Sequence, residues 1–180
     1  MIRLHDKEFV PFMSNAQISQ RLDEICAELN LKYKDNEQAP LFIAILNGSF
    51  MIASDVMQRM QVQSEISFIK LKSYVGTYTT GQVTTAIGLD EEKVKGRDII
   101  ILEDIVDTGT TLSQFLPTLY AMGPKSVCVV TLLLKPEALK HPDLQMDYIG
   151  FEIENKFIVG YGLDYNGLGR QYKDIYQLKA

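Results

Sequence analysis

Three observations predict an α/β fold, a mostly parallel sheet flanked by helices with a small hood subdomain. Short runs of aliphatic, largely β-branched residues at 41–46, 99–102 and 127–134 have the composition of strands buried on both faces. Between them, apolar residues recur at helical spacing, the alternation that gives βαβ units. The joins at Asn47, Asp107 and Lys135 then fall together at the carboxyl ends of the strands, where such sheets hold their ligands. At 180 residues and 46% hydrophobic, the chain suffices for one well-formed core and is short for two. A single domain over residues 1–180 is expected, its part from about 140 contributing to the hood.

Ser14-Asn15-Ala16-Gln17 has the form of a capping box, and Ile18, Leu22, Ile25 and Leu29 follow at one face of a first helix. Residues 41–46 read as a strand, Asn47-Gly48-Ser49 as a turn, and Ile52, Ala53, Val56, Met57 and Met60 as the apolar face of a second helix. A strand over 65–71 leads into residues 74–85, rich in Thr and Gly, which read as a surface loop able to serve as a lid. After the strand at 99–102, Leu112, Phe115, Leu116 and Leu119 mark a helix that Pro117 should kink or leave with an unpaired carbonyl. Gly123-Pro124 ends it, 127–134 is a further strand, and the pieces 148–151 and 157–161 are assigned to the hood.

Charge and cysteine usage exclude several functions. The net charge is −5 with Lys and Arg dispersed, so no nucleic-acid partner is expected, since a phosphate backbone needs a basic face. Cys26 and Cys128 lack paired spacing, and only His5 and His141 could assist them, which indicates neither disulfides nor zinc and suits a reducing cytoplasm. The charged N-terminus and the lack of about 18 consecutive apolar residues point to a soluble protein with no membrane partner.

The most informative stretch is Glu103-Asp104-Ile105-Val106-Asp107-Thr108-Gly109-Thr110-Thr111. A strand-to-helix turn over 107–111 aims backbone N–H groups and a positive helix end at whatever lies above it, and Gly109 permits close approach, so a phosphate fits. Thr108, Thr110 and Thr111 add hydroxyl donors. Glu103 and Asp104 only accept hydrogen bonds when ionised, which suits sugar hydroxyls or magnesium. No Walker loop is present.

That nine-residue stretch resembles the phosphoribosyl pyrophosphate signature of the type I phosphoribosyltransferases. Four more segments extend the resemblance to the 6-oxopurine branch, the hypoxanthine-guanine phosphoribosyltransferases: Leu46-Asn47-Gly48-Ser49, Leu71-Lys72-Ser73-Tyr74, the run ending at Lys135, and 156–165 with Arg170 beyond it. The resemblance implies the type I fold and transfer of a phosphoribosyl group to hypoxanthine or guanine in purine salvage. It places the 5′-phosphate on 107–111, the ribose on Glu103 and Asp104, and pyrophosphate on Leu46, Asn47, Gly48 and Arg170. Ser73 and Tyr74 would belong to a closing loop, Lys135 would meet the purine 6-oxygen, Phe157 would stack on the base, and the Ile158 backbone would meet its N1 and N2 edge. Magnesium would sit on Glu103, Asp104 and Asp164, Asp107 would manage the proton at N7, and the assembly would be a homodimer or homotetramer. Asn47 departs from the family pattern, which usually has a basic residue there. A regulator that binds phosphoribosyl pyrophosphate and a transferase preferring xanthine are the alternatives.

Overall fold

The computed structural model describes residues 1–72, 84–87 and 89–179. Two short strands, β1 (Ile2–Leu4) and β2 (Lys7–Met13), precede α1 (Asn15–Tyr33). The capping box forms as read: Gln17 N–H donates to the Ser14 hydroxyl and the Gln17 side chain accepts the Ser14 N–H at 3.0 Å. There follow β3 (Leu41–Leu46), α2 (Phe50–Arg59), β4 (Glu65–Lys72), β5 (Thr84–Ile87) and the single turn α3 (Glu91–Val94). Then come β6 (Asp98–Val106), α4 (Thr110–Ala121), β7 (Ser126–Leu134), β8 (Tyr148–Glu152), β9 (Ile158–Val159) and β10 (Ile175–Leu178).

The main sheet runs β5-β4-β3-β6-β7-β8, parallel throughout except for β5. Side chains alternate across it. Phe42, Ala44, Ile100, Leu102, Cys128 and Val130 pack with α1 and α2 on one face. Leu41, Ile43, Ile99, Ile101 and Val129 pack with Val94 of α3 and Leu112, Phe115 and Leu119 of α4 on the other. The expected α/β sheet flanked by helices is therefore present. Among the described residues no helix is long and apolar enough to cross a membrane.

A second sheet, β1-β2-β10-β9, is antiparallel and gathers Leu4, Phe9 and Val159 with Tyr165, Tyr172 and Tyr176 into its own apolar cluster. Its composition differs from the sequence reading in two ways. Residues 2–13 supply half of its strands, and 148–151 do not belong to it. Tyr148–Glu152 instead pairs in parallel with β7, with Gly150 so close to the Leu132 carbonyl that a Cβ would overlap it. Strand β6 also runs past Leu102 to Val106, which carries Glu103 and Asp104 within the strand rather than beyond its end. Helix α4 continues through Pro117 without ending. Ser113, whose carbonyl Pro117 cannot bond, lines an open groove of about 370 Å³ together with it. Of the proposed loop at 74–85, only Thr84 and Thr85 are described, and both belong to β5.

Candidate active site

At the carboxyl ends of β6 and β7 the chain makes two neighbouring turns. Asp107 follows β6 and Lys135 follows β7, and the Lys135 N–H donates to the Val106 carbonyl at 3.0 Å. Their side chains form an ion pair, Nζ to Oδ2 2.8 Å. The pair is lopsided, because the lysine side chain is 7% exposed and the aspartate 48%. An ammonium donor and a carboxylate acceptor thus stand side by side at the rim of the crevice.

Beside them, the turn into α4 is held open. Gly109 caps the helix at φ +75°, and a Cβ there would come within 2.9 Å of Leu139 and 3.1 Å of Leu144. The positive φ favours glycine, and the two leucine tips add crowding that a Cβ would have to push aside. The hydroxyls of Thr108 and Thr110 lie 3.0 Å apart, and the Lys140 N–H anchors the Thr108 carbonyl at 3.0 Å. The Thr110 hydroxyl also sits 3.5 Å from His141 Nε2, a neighbour sequence spacing does not reveal. Glu103, Asp107, Thr108, Gly109 and Thr111 line a cavity of about 80 Å³, with the N-terminus of the twelve-residue α4 among its walls.

Adjacent positions on a strand face opposite ways, and the two β6 carboxylates divide accordingly. Glu103 is buried, its Oε2 has no hydrogen-bond partner, and burial next to Asp104 pushes its carboxyl well above the usual range. Asp104 lies against Gly48, so close that a Cβ on Gly48 would overlap the carboxylate. Desolvation there pushes Asp104 up to about 6, against the pull of the Asp104 and Ile105 backbone N–H groups and the Arg170 guanidinium.

The turn after β3 carries Leu46, Asn47 and Gly48, with the Leu46–Asn47 peptide in the cis form. The loop after β9 closes on it. A Cβ on Gly162, at φ +94°, would overlap the Gly48 carbonyl. Arg170 donates Nη1 to the Gly162 carbonyl at 2.6 Å and pairs Nη2 with Asp164 Oδ1 at 2.6 Å, while Asp164 Oδ2 accepts the Gly167 N–H at 2.7 Å. The structure therefore brings Gly48, Asp104, Asp164 and Arg170 into one cluster, a proximity spacing cannot supply. Gly162, between Tyr161 and Leu163, is the contact that makes it, and Gly-Tyr-Gly in the sequence is its only signal.

Phe157 precedes β9 with 43% of its surface exposed and its ring against those of Phe9 and Tyr165, at centroid distances of 6.1 and 5.7 Å. Its carbonyl accepts the Leu178 N–H. In an antiparallel pair the next residue turns its backbone groups the other way, so those of Ile158 face away from β10 on the open side of the edge strand. Ser73 and Tyr74 lie outside the described residues.

As for magnesium, no group of three carboxylates, imidazoles or thiols among the described residues converges to hold an ion alone. The donor set fits the ion in another way. Magnesium usually takes one or two carboxylates and completes its shell with water and substrate phosphates, and Asp104, against Gly48, and Asp164, paired with Arg170, are two such oxygen donors in one cluster.

Comparison with known proteins shows the family. Residues 13–166 match the phosphoribosyl transferase domain model. The hypoxanthine-guanine phosphoribosyltransferase of Bacillus subtilis is 39% identical over 162 residues, 89% of this chain and 87% of the relative. The hypoxanthine-guanine-xanthine phosphoribosyltransferase of Tritrichomonas foetus is 36% identical over 162 residues, 90% and 87%. A crystal structure of a hypoxanthine phosphoribosyltransferase from Staphylococcus aureus superposes with a TM-score of 0.85 at 34% identity, covering 97% of this chain and 92% of that one. The chain belongs to the phosphoribosyltransferase family, within its hypoxanthine and hypoxanthine-guanine branch.

Proposed function

We propose that this enzyme transfers the phosphoribosyl group of phosphoribosyl pyrophosphate to the N9 atom of hypoxanthine or guanine, giving the nucleoside monophosphate and pyrophosphate, and that it works in the cytoplasm in purine salvage. The observation that carries the base assignment is the Lys135–Asp107 pair. A 6-oxopurine presents O6 and N7 side by side on one edge. The buried ammonium donates to O6, a contact the 6-amino group of adenine cannot accept. Asp107 manages the proton at N7, Phe157 stacks on the ring, and the backbone of Ile158 meets N1 and the 2-position.

The 5′-phosphate sits in the turn 107–111, on backbone N–H groups and the hydroxyls of Thr108, Thr110 and Thr111. Ribose hydroxyls go to Glu103 and Asp104, which gives the unpartnered Glu103 carboxyl a partner. Pyrophosphate lies between Leu46, Asn47 and Gly48 on one side and Arg170 on the other, with Asp104, Asp164 and, across the strand, Glu103 as the carboxylates nearest the metal. Magnesium, when bound, neutralises charge on the leaving pyrophosphate.

As the bond from ribose C1 to pyrophosphate breaks, positive charge develops on the sugar and negative charge on the leaving group. The β6 carboxylates stabilise the first and Arg170 the second. Ser73 and Tyr74 belong to the segment assigned to cover the centre against water. One domain performs the reaction, with the loop after β9 forming part of a hood, and the protein assembles as a homodimer or homotetramer.

Pyrophosphate release measured with hypoxanthine, guanine, xanthine, adenine and orotate, with and without excess chelator, tests this reading. Turnover with hypoxanthine or guanine that chelator abolishes is expected. Full turnover in chelator overturns the metal assignment, and adenine or orotate as the preferred base overturns the base site. Xanthine as the best base places the enzyme nearer its Tritrichomonas relative.

A further inference from the structure

Gly160, Tyr161 and Gly162 form three successive residues at positive φ, +97°, +48° and +94°. For a tyrosine this is the left-handed region, which bulky side chains rarely adopt and which persists only where surroundings enforce it. Here they do. Gly160 is pressed on the Asp174 carbonyl and Gly162 on the Gly48 carbonyl. The Tyr161 N–H donates to the Tyr172 carbonyl at 2.8 Å, and the Gly162 N–H to the Arg170 carbonyl at 3.1 Å.

The tyrosine side chain is 1% exposed, and its hydroxyl donates to Asp55 Oδ2 at 2.5 Å. Burial and the Asp55 bond push the hydroxyl far up, so it stays a donor. Asp55 lies on α2, the helix that begins directly after Asn47-Gly48-Ser49. That helix is itself tied to α1 through Arg59, which donates Nη1 to the Asp55 carbonyl at 2.8 Å, Nε to Asp23 at 2.6 Å and Nη2 to the Ser19 hydroxyl at 2.6 Å. The loop after β9 is thus joined to the α2 unit at two points, Gly162 on Gly48 and Tyr161 on Asp55.

We infer that Tyr161 and Asp55 are positioning residues of the pyrophosphate end of the site: their hydroxyl–carboxylate bond seats Gly162 on the Gly48 carbonyl and so sets Asp164 and Arg170 against the Asn47-Gly48 turn. Neither touches a reactant. The inference rests on the assignment of this cluster to pyrophosphate. It explains why a residue without catalytic chemistry is held in a conformation unfavourable to it, and why the bond crosses between the two segments that must flank one ligand.

Tyr161→Phe keeps the ring and removes only the donor. The KM for phosphoribosyl pyrophosphate, and for pyrophosphate in the reverse reaction, rises about tenfold, the scale of one hydrogen bond to a charged group. The KM for hypoxanthine stays within about twofold of the wild-type value on the same reasoning, because Asp107 and Lys135 stand in the turns after β6 and β7 and Phe157 and Ile158 are held by their own pairing with β10. Asp55→Asn retains an acceptor and recovers most of the affinity, Asp55→Ala matches Tyr161→Phe, and the double variant is no worse than either single one. These Asp55 variants decide the matter should Tyr161→Phe fail to fold. Arg170→Gln separates the two levels of argument. If it raises both KM values and Tyr161→Phe does not, or if Tyr161→Phe raises the hypoxanthine KM equally, positioning is refuted. If neither variant moves them, the pyrophosphate assignment itself falls.

Discussion

The unequal exposure of Asp107 and Lys135 predicts unequal consequences when either is removed. Asp107→Ala leaves an ammonium in a place where 7% of the side chain meets water. Breaking a fully buried pair from one side costs about 3–5 kcal/mol. Water reaches about half of Asp107, so screening lowers the expected loss to about 2–3 kcal/mol, roughly 4–12 °C in Tm for a domain of this size. Lys135→Met reverses the geometry: an apolar side chain of similar length fills the buried space and Asp107 keeps its water, so stability changes by about 1 kcal/mol or less. The Asp107→Ala/Lys135→Met double variant is therefore more stable than Asp107→Ala alone. All three lose turnover with hypoxanthine. Thermal unfolding followed by far-UV circular dichroism suits a chain without tryptophan and gives the stabilities, while pyrophosphate release gives the rates. If Lys135→Met proves as destabilising as Asp107→Ala, or the double variant is the least stable, burial does not govern this pair and the argument from exposure is wrong.

Further outcomes follow from other contacts. Asp107→Asn keeps an oxygen for Lys135 and the backbone cradle for phosphate, so phosphoribosyl pyrophosphate still binds while kcat falls by about 10²–10⁴, the usual worth of a general acid or base; wild-type turnover would reduce Asp107 to a structural role. Phe157→Ala weakens hypoxanthine or nucleotide binding by about 1–3 kcal/mol and leaves the affinity for phosphoribosyl pyrophosphate nearly unchanged, as calorimetry can check. Gly162→Ala costs more than about 3 kcal/mol, combining a disfavoured φ with overlap on the Gly48 carbonyl. Gly96→Ala, at φ +71° with no atom near, costs only about 1–2 kcal/mol in the same melts. Asp98 is desolvated, which raises its carboxyl, but the bonds from Ser126, Lys125 and Asn36 outweigh this and hold it below the usual range. The lowered folded value contributes stability that is present above the unfolded value, near 3.8, and lost as pH falls from there through the folded one, so Asp98→Asn is less stable than wild type at pH 7 and the gap closes as pH falls below about 4.

Local signals in the sequence were legible. The capping box at Ser14, the helical face of Ile18, Leu22, Ile25 and Leu29, and the buried runs of β3, β6 and β7 depend on neighbours within a few residues, and all form as read. What escaped depends on distant partners. The strand Lys7–Met13 has no periodic apolar face of its own, and its register is set by Ile175–Leu178 at the other end of the chain. Glu103 reads as a strand end because an isolated carboxylate is costly inside a sheet, yet it lies within β6 beside the phosphate turn. The same division holds at the site. The turn 107–111 is contiguous and could be found by inspection, whereas the proximity of Arg170 to Gly48 and the pinning of Tyr161 by Asp55 are products of tertiary packing.

The small sheet also orders events in time. Met13 waits for Ile175, and Asn15 for the Asp174 carboxylate that accepts its N–H at 2.7 Å, so both partners are more than 150 residues behind in synthesis. At ribosomal speeds of about 5–20 residues per second, β2, with β1 already beside it, spends roughly 10–30 s without β10 after it is made. The main sheet, whose parallel strands are nearer in sequence, can assemble in that interval with the phosphate turn already formed. Strand β9, at the base of the loop carrying Asp164 and Arg170, has no partner strand until β10 arrives. A nascent chain halted before residue 175 would thus resemble the finished enzyme in most of its fold and still lack the strand that joins β2 to the base of the pyrophosphate loop.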